Sequence, residues 1–119
     1  MQHVLVVDDD LPVARALERW LKRIGVQVTL LSKVAELEAV LEREKFTLII
    51  CDYLMPVLDG VAVLSTARRL APSTRRCLLS GSLGLVTQVQ RESIAPCVFI
   101  EKPWEPSLFA RQLGLVAPP

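Results

Sequence analysis

Residues 47–60 read TLIICDYLMPVLDG, and this stretch decides the fold of the chain. It opens with the apolar run Thr47–Cys51, which a single acid, Asp52, follows. A continuous apolar run of this length is typical of a strand that helices cover on both faces. Pro56 and Gly60 then interrupt the chain before a helical pattern over Val61–Leu70. The stretch therefore predicts a central parallel strand that ends in a carboxylate.

The alternation of strand and helix continues in both directions from this stretch. Apolar strand patterns recur, and each is followed by apolar residues at helical spacing. Because parallel strands need a crossover of about a dozen residues, the chain is predicted to be α/β, a doubly wound five-stranded parallel sheet with helices on both faces. The predicted strands are Val4–Val7, Val26–Leu30, Thr47–Cys51, Arg75–Leu79 and Pro96–Ile100.

The helices are predicted from apolar spacing and from their end signals. Pro12 fits the first turn of the first helix, Gly25 a left-handed stop, and Ser32 the cap of the second helix. The first helix is expected to bury Val13, Leu17, Trp20, Leu21 and Ile24, and the second Val34, Leu37 and Leu41. The other helices are predicted over Val61–Leu70, which Pro72 ends, Leu85–Glu92 and Pro106–Leu115.

Length, charge and hydropathy narrow the class of protein. The 119 residues predict one domain, residues 1–119. Fourteen basic against thirteen acidic side chains leave no electrostatic footprint for direct nucleic-acid binding. Apolar runs of four or five residues are too short for a membrane span, and the start of the chain does not resemble a secretory signal. We therefore expect a soluble, cytoplasmic protein without membrane contact.

Cysteines and clustered arginines have ordinary structural interpretations. Three cysteines without paired spacing predict neither disulfides nor a zinc site, so we expect reduced core thiols. The arginines around Pro72 are interpreted as a solvated edge rather than a nucleic-acid patch. The residues are Cys51, Cys77 and Cys97, and Arg68, Arg69, Arg75 and Arg76.

Polar side chains follow four of the five predicted strands. Because parallel strands end at the same edge of a sheet, and ligands of such sheets bind at that edge, these side chains are expected to converge. They are Asp8, Asp9 and Asp10 after the first strand, Asp52 after the third, Ser80 after the fourth and Lys102 after the fifth.

Crowded carboxylates call for a cation. At an effective dielectric of ~20, two of them ~4 Å apart repel by on the order of 4 kcal/mol. Oxygen ligands favour a hard ion, and a site of a few carboxylates suits Mg²⁺ together with a phosphoryl group. Lys102 and the Ser80 hydroxyl could meet phosphate oxygens, with Asp52 as nucleophile. Asp10 is expected to cap the first helix instead.

These motifs resemble those of response-regulator receiver domains of the chemotaxis-regulator type, over the whole chain. The matching pieces are a strand ending in Val7-Asp8-Asp9, the Asp-x-x-Met-Pro-x-x-Asp-Gly string of residues 52–60, Ser80 at a strand end, and Glu101-Lys102-Pro103. With this resemblance the predicted fold is flavodoxin-like, with strand order 2-1-3-4-5.

The resemblance also implies roles. Asp52 would accept a phosphoryl group from a sensor histidine kinase or phosphotransfer protein in two-component signalling. Mg²⁺ would be held by the side chains of Asp8, Asp9 and Asp52 and by the main-chain carbonyl of Leu54. Such a protein catalyses only its own phosphorylation and dephosphorylation, so it is not an enzyme acting on a separate substrate.

Further implications concern switching and output. Ser80 and Lys102 would contact the phosphoryl group, the bond before Pro103 would be cis, and Ser80 and Phe99 would act as switch residues. The face of the fourth helix, fifth strand and fifth helix would meet a downstream effector or a second copy. Residues 82–84 and 91–96 depart from the family pattern. The resemblance therefore supports the role of the output face less than it supports the roles of the acids.

Two other functions compete with this interpretation, and a third has less support. Asp8 to Asp10 after an apolar strand resembles the nucleophile motif of haloacid-dehalogenase-type phosphatases, with Asp8 as nucleophile. Pro12 and the lack of an acidic pair after Lys102 do not fit that motif. A pseudo-receiver that binds partners without phosphorylation is the other alternative, against which the intact acids, Ser80 and Lys102 argue. A nucleotide-binding module is weaker still, because no Gly-x-Gly-x-x-Gly string follows the first strand.

Overall fold

The computed structural model describes residues 2–55 and 59–115 of the chain. Its single sheet has the order β2-β1-β3-β4-β5, and every neighbouring pair is parallel. The predicted fold is therefore confirmed. The strands are β1 His3–Val7, β2 Gln27–Leu31, β3 Leu48–Asp52, β4 Arg75–Ser80 and β5 Val98–Glu101, and the helices are α1 Leu11–Arg23, α2 Leu37–Arg43, α3 Gly60–Leu70, α4 Gln88–Ser93 and α5 Pro106–Gln112.

Alternate residues of each central strand point into two separate cores. Val4 and Val6 of β1 pack with the side chains of α1 and α5, whereas Leu5 and Val7 pack with those of α2 and α3. All four side chains are at most 1% exposed. Burial on both faces explains why the strands are apolar runs without alternation. Among the described helices, none is both long and apolar enough to cross a membrane.

Helix α1 has the predicted ends but a rotated buried face. The Asp10 carboxylate accepts a hydrogen bond from the Val13 N–H at 3.4 Å, and Gly25 has φ +87°. The prediction that Val13 is buried was wrong, because Val13 is 38% exposed while Ala14 is 2% exposed. Ala14, Leu17 and Leu21 form the buried side of the helix.

The second βα unit begins one residue later than predicted. Strand β2 runs to Leu31, which pairs with Val7 and is buried. A 3-10 turn over Val34–Glu36 precedes α2, and neither begins with a side-chain cap, so the prediction that Ser32 caps the helix was wrong. Leu37 and Val40 are the residues of α2 that are buried.

The region between β4 and β5 also differs from the prediction. Instead of one helix over Leu85–Glu92, a 3-10 turn covers Leu83–Leu85 and α4 follows as a separate short helix. Thr87 and Gln90 form a reciprocal capping box that starts α4 two residues after the turn ends. No residue of α4 is buried. Pro56, which was expected to interrupt the chain, lies outside the described residues.

Arg76 overturns the interpretation of the arginines as a solvated edge. It is 4% exposed. Burial lowers the pKa of its guanidinium, which is the direction expected for a desolvated cation. Rather than facing solvent, the guanidinium of Arg76 donates hydrogen bonds to main-chain carbonyls. No pattern in the sequence indicates this role. These acceptors belong to Pro72, Thr74, Ile94, Ala95 and Pro96.

Two neighbouring arginines act in the same way from the surface. Arg68 of α3 donates to the carbonyls of Glu92 and Ser93 at 3.1 and 2.9 Å, and Arg75 donates to the carbonyl of Leu113 at 2.7 Å. Turns on the β4 and β5 side of the sheet are thus joined by guanidinium groups.

The three cysteines are free thiols, and burial raises the pKa of Cys97 to about 11.

We predict that Arg76→Met lowers the free energy of unfolding by at least about 2 kcal/mol, because buried carbonyls lose their charged donor. Urea denaturation measures the change. Arg69→Met is the matched control, because Arg69 is exposed and lies 3.8 Å from Glu38 in a surface ion pair, worth at most about 1 kcal/mol. Equal losses for the two variants would contradict a structural role for Arg76.

Candidate functional site

The carboxyl ends of four strands bring the predicted polar residues to one edge of the sheet. Strand β3 ends at Asp52 and β4 at Ser80, and Lys102 directly follows β5. Backbone hydrogen bonds between neighbouring strands continue just past the strand ends. The Lys102 N–H donates to the Ser80 carbonyl at 2.9 Å, and the Tyr53 N–H donates to the Leu79 carbonyl at 2.9 Å. The site is therefore built on rigid strand ends.

Asp8, Asp9 and Asp52 form an acid cluster. One carboxylate oxygen of each lies within 4.8 Å of the others. Asp8 is buried, Asp52 is partly buried and Asp9 is exposed, so the cluster opens to solvent on one side. Three carboxylate oxygens at this spacing fit a hard divalent cation that keeps part of its water shell, as Mg²⁺ does.

Asp8 carries the largest electrostatic cost in the cluster. Burial raises the pKa of the Asp8 carboxyl above its ordinary value, and the charge of Asp52 raises it further. The Asp10 N–H, which donates to Asp8 Oδ1 at 2.9 Å, and the charge of Lys102 act in the opposite direction. A cation beside Asp8 would stabilise the carboxylate form that burial disfavours.

Lys102 supplies a positive charge to the cluster. Its Nζ lies 2.5 Å from Asp52 Oδ1, and the two side chains are 30% and 12% exposed. At this contact the ammonium offsets part of the repulsion between the acids. The Lys102–Pro103 peptide bond is cis, at the position where the resemblance implies one.

Ser80 is turned toward its own loop. The side chain is buried, and its Oγ accepts a hydrogen bond from the Ser82 N–H at 2.9 Å. Leu54, by contrast, exposes 64% of its surface near the end of β3. Phe99 is partly buried on β5, and the guanidinium carbon of Arg91 lies 4.5 Å from the centre of its ring.

Gly60 allows helix α3 to begin against the end of β3. A Cβ atom at this position would lie 2.3 Å from the Asp52 carbonyl oxygen and 2.7 Å from the Leu78 side chain. The Gly60 N–H donates to the Tyr53 carbonyl at 2.8 Å, and Asp59 caps the helix through the Ala62 N–H at 2.8 Å. Gly60, expected to interrupt the chain, is thus the first residue of α3.

Two features of the site were missed in the sequence. Trp104, two residues after Lys102, packs with Trp20 of α1 and Phe109 of α5, with ring centroids 4.6 to 5.3 Å apart. Arg91 contacts Phe99 and the loop after Ser80. Aromatic residues near a strand end could have suggested the first contact, whereas a single arginine in a short helix gave no signal for the second.

The chain belongs to the response regulator receiver domain family, whose model matches residues 4–113. Members of this family act in two-component signalling with histidine kinases and effectors. Receiver domains hold Mg²⁺ in an acidic cluster, and Asp8, Asp9 and Asp52 form such a cluster in this chain.

Similar proteins extend this comparison. The hydrogenase transcriptional regulatory protein HoxA of Cupriavidus necator is 36% identical over 106 residues, which cover 87% of this chain and 21% of HoxA. The response regulator receiver protein CpdR of Brucella abortus is 24% identical over 104 residues, 87% of each protein. A receiver domain protein of Methanospirillum hungatei superposes with a TM-score of 0.86 at 25% identity, over 96% of this chain and 91% of that one. The chain thus spans about a fifth of HoxA.

We predict opposite effects of Asp8→Asn on stability without and with Mg²⁺. A raised pKa in the folded state means that ionised Asp8 costs stability at neutral pH, and that this cost disappears as the pH falls through the raised pKa toward the ordinary 3.8. The variant should therefore be more stable than the native chain at pH 7 without metal, and the gain should shrink on acidification.

Mg²⁺ should reverse this order. At ten times its dissociation constant, a bound ion stabilises the native chain by about 1.4 kcal/mol, and the variant should gain less. Thermal denaturation with Mg²⁺ or with a chelator measures both effects. Equal stabilisation of the two proteins by Mg²⁺ would show that Asp8 is not a ligand.

Proposed function

We propose that this chain is a phospho-accepting receiver domain in which Asp52 takes a phosphoryl group from a histidine kinase or phosphotransfer protein, with Mg²⁺ as cofactor. The observation that carries the proposal is the acid cluster, in which one carboxylate oxygen of each acid lies within 4.8 Å of the others. Lys102 Nζ contacts Asp52 in this cluster. A cluster with one ammonium beside it suits an anionic group that arrives together with a cation.

Each residue has a separate task in this reaction. Asp8, Asp9, Asp52 and the main-chain carbonyl of Leu54 would hold Mg²⁺, which would neutralise charge on the phosphoryl oxygens. An Asp52 oxygen forms the new P–O bond while the P–N bond of the donor phosphohistidine breaks, and the bonding electrons leave with the imidazole nitrogen. Lys102, already at Asp52, meets a phosphoryl oxygen.

Phosphorylation changes the chain through Ser80. Its hydroxyl leaves the Ser82 N–H and turns toward the phosphoryl group, which shifts an equilibrium between two conformations. The change reaches the face of α4, β5 and α5, where Val89 and Leu108 expose 76% and 49% of their surfaces, and the preceding 3-10 turn, where Leu85 exposes 64%. This face binds an effector or a second copy rather than nucleic acid or a membrane.

In this function the chain acts in the cytoplasm and turns over no separate substrate. The phosphatase alternative is disfavoured by the position of Asp8, which is 5% exposed and has Oδ1 bonded to the Asp10 N–H. Asp52 is the more accessible acid of the two. The pseudo-receiver alternative predicts that neither acid is modified.

We predict that a small phosphodonor such as acetyl phosphate adds one phosphoryl mass to the native chain only when Mg²⁺ is present. Asp52→Asn should abolish the addition because the amide is not a nucleophile. Intact-mass spectrometry provides the measurement. If Asp52→Asn still gains the phosphoryl mass while Asp8→Asn does not, the phosphatase reaction replaces the receiver reaction, and no gain in the native chain supports the pseudo-receiver.

We also predict slow loss of the phosphoryl group. Hydrolysis needs a water molecule oriented in line with the P–O bond, and the residues that border its path by family resemblance, Leu54 and Ser82, are poorly suited to orient it. Leu54 has no hydrogen-bonding group, and Ser82 is short. In the presence of Mg²⁺, Leu54→Asn should speed the loss of the phosphoryl group several-fold. Intact-mass spectrometry over time measures this rate. Equal rates would show that Leu54 does not limit water access.

A further inference from the structure

Helix α4 has no buried residue of its own and is positioned by polar contacts between two core residues, Val86 and Ile94, which are 5% and 0% exposed. It has six residues, Gln88–Ser93, and none of them is buried. At its C-terminal end, Arg68 donates to the carbonyls of Glu92 and Ser93. One side chain of the helix itself, Arg91, connects α4 to the segment that precedes it. Because none of its own side chains is buried, the helix between Val86 and Ile94 can change position at a smaller packing cost than a helix with a core face.

Arg91 joins three segments of the chain. Its Nη2 donates to the Leu83 carbonyl at 3.0 Å, and its Nε donates to the Val86 carbonyl at 3.4 Å. The guanidinium carbon lies 4.5 Å from the centre of the Phe99 ring, in the range of a cation–π contact. A single half-buried side chain thus fixes the 3-10 turn after β4, the start of α4 and an aromatic residue of β5.

The two carbonyls that Arg91 contacts belong to a hydrogen-bonded segment that starts at Ser80. The Ser82 N–H donates to Ser80 Oγ at 2.9 Å. The Leu85 N–H then donates to the Ser82 carbonyl at 3.0 Å, and the Val86 N–H to the Leu83 carbonyl at 3.0 Å. A movement of the Ser80 hydroxyl away from Ser82 therefore disturbs the segment on which the Arg91 guanidinium rests.

We propose that Arg91 is a positioning residue that holds this segment and Phe99 in the arrangement in which the Ser80 hydroxyl is bonded to Ser82. The proposal rests on the proposed function, because it is the phosphoryl group on Asp52 that competes for the Ser80 hydroxyl. Arg91 thereby sets the conformational equilibrium of the unphosphorylated chain. Removing its guanidinium makes the hydroxyl easier to recruit.

The experiment measures the affinity of the full chain for beryllofluoride, a phosphoryl mimic, in the presence of Mg²⁺. Arg91→Ala should bind it three- to tenfold more tightly than the native chain, because fewer contacts must be broken. Arg91→Lys keeps a charge near Phe99 but cannot reproduce both carbonyl contacts, so its affinity should lie between the two. Gln88→Ala is the matched control on the same helix. It removes an exposed contact with Glu92 at 3.2 Å and should leave the affinity unchanged.

Backbone amide shifts provide a second readout. In the native chain beryllofluoride should shift residues 82–86 and Phe99, whereas in metal-free Arg91→Ala those amides should already be displaced in the same direction. A merely structural role would lower the free energy of unfolding without tightening beryllofluoride binding. If Arg91→Ala does not fold, Phe99→Leu keeps an apolar side chain against the core but removes the ring that Arg91 contacts, and it should tighten binding by a smaller factor.

Two failures are distinguishable. If the native chain does not bind beryllofluoride with Mg²⁺, the proposed function is wrong. If the native chain binds it and Arg91→Ala, or Phe99→Leu in its place, binds with the same or lower affinity, only the role of Arg91 is overturned.

Discussion

Repulsion among three carboxylates is the constraint on which the carboxyl edge of this structure depends. Asp8, Asp9 and Asp52 bring oxygens within 4.8 Å of one another, and burial disfavours the charged form of Asp8. The fold tolerates the cluster because Lys102 lies against Asp52 and because one side is open to solvent. Three acids beside one ammonium leave the cluster with net negative charge, which favours a cation there.

Rigidity is distributed unevenly around this cluster. On the acid side, strands β1, β3 and β4 are buried on both faces, and Gly60 brings α3 against the carbonyl of Asp52. On the other side, α4 has no buried residue and depends on bonds from arginines to carbonyls, which water can replace. The acids are thus held by firmly packed strands, whereas the helix between β4 and β5 has no buried residue of its own.

Sequence reasoning found the sheet and the acids because both follow from local rules. A strand covered on two faces must be apolar throughout, and an acid directly after it must lie at the carboxyl edge, as Asp52 does. Contacts that depend on tertiary packing gave no such signal. The burial of Ala14 rather than Val13 depends on how α1 is rotated against the sheet, and the burial of Arg76 depends on carbonyls of remote turns. Arg91 is hidden for the same reason, since its partners lie in another loop and another strand.

The aromatic trio of Trp20, Trp104 and Phe109 has a spectroscopic consequence. The chain has two tryptophans, and both are in this trio, at the junction of α1, the loop after β5, and α5. Indole emission depends on the polarity and the quenching groups around the ring. Since Trp104 follows Lys102 by two residues, a displacement of that lysine's loop alters the contact between the two indoles, whose planes are tilted by 54°. The unlabelled protein therefore carries its own optical reporter beside the acid cluster, built from packing that the fold requires in any case.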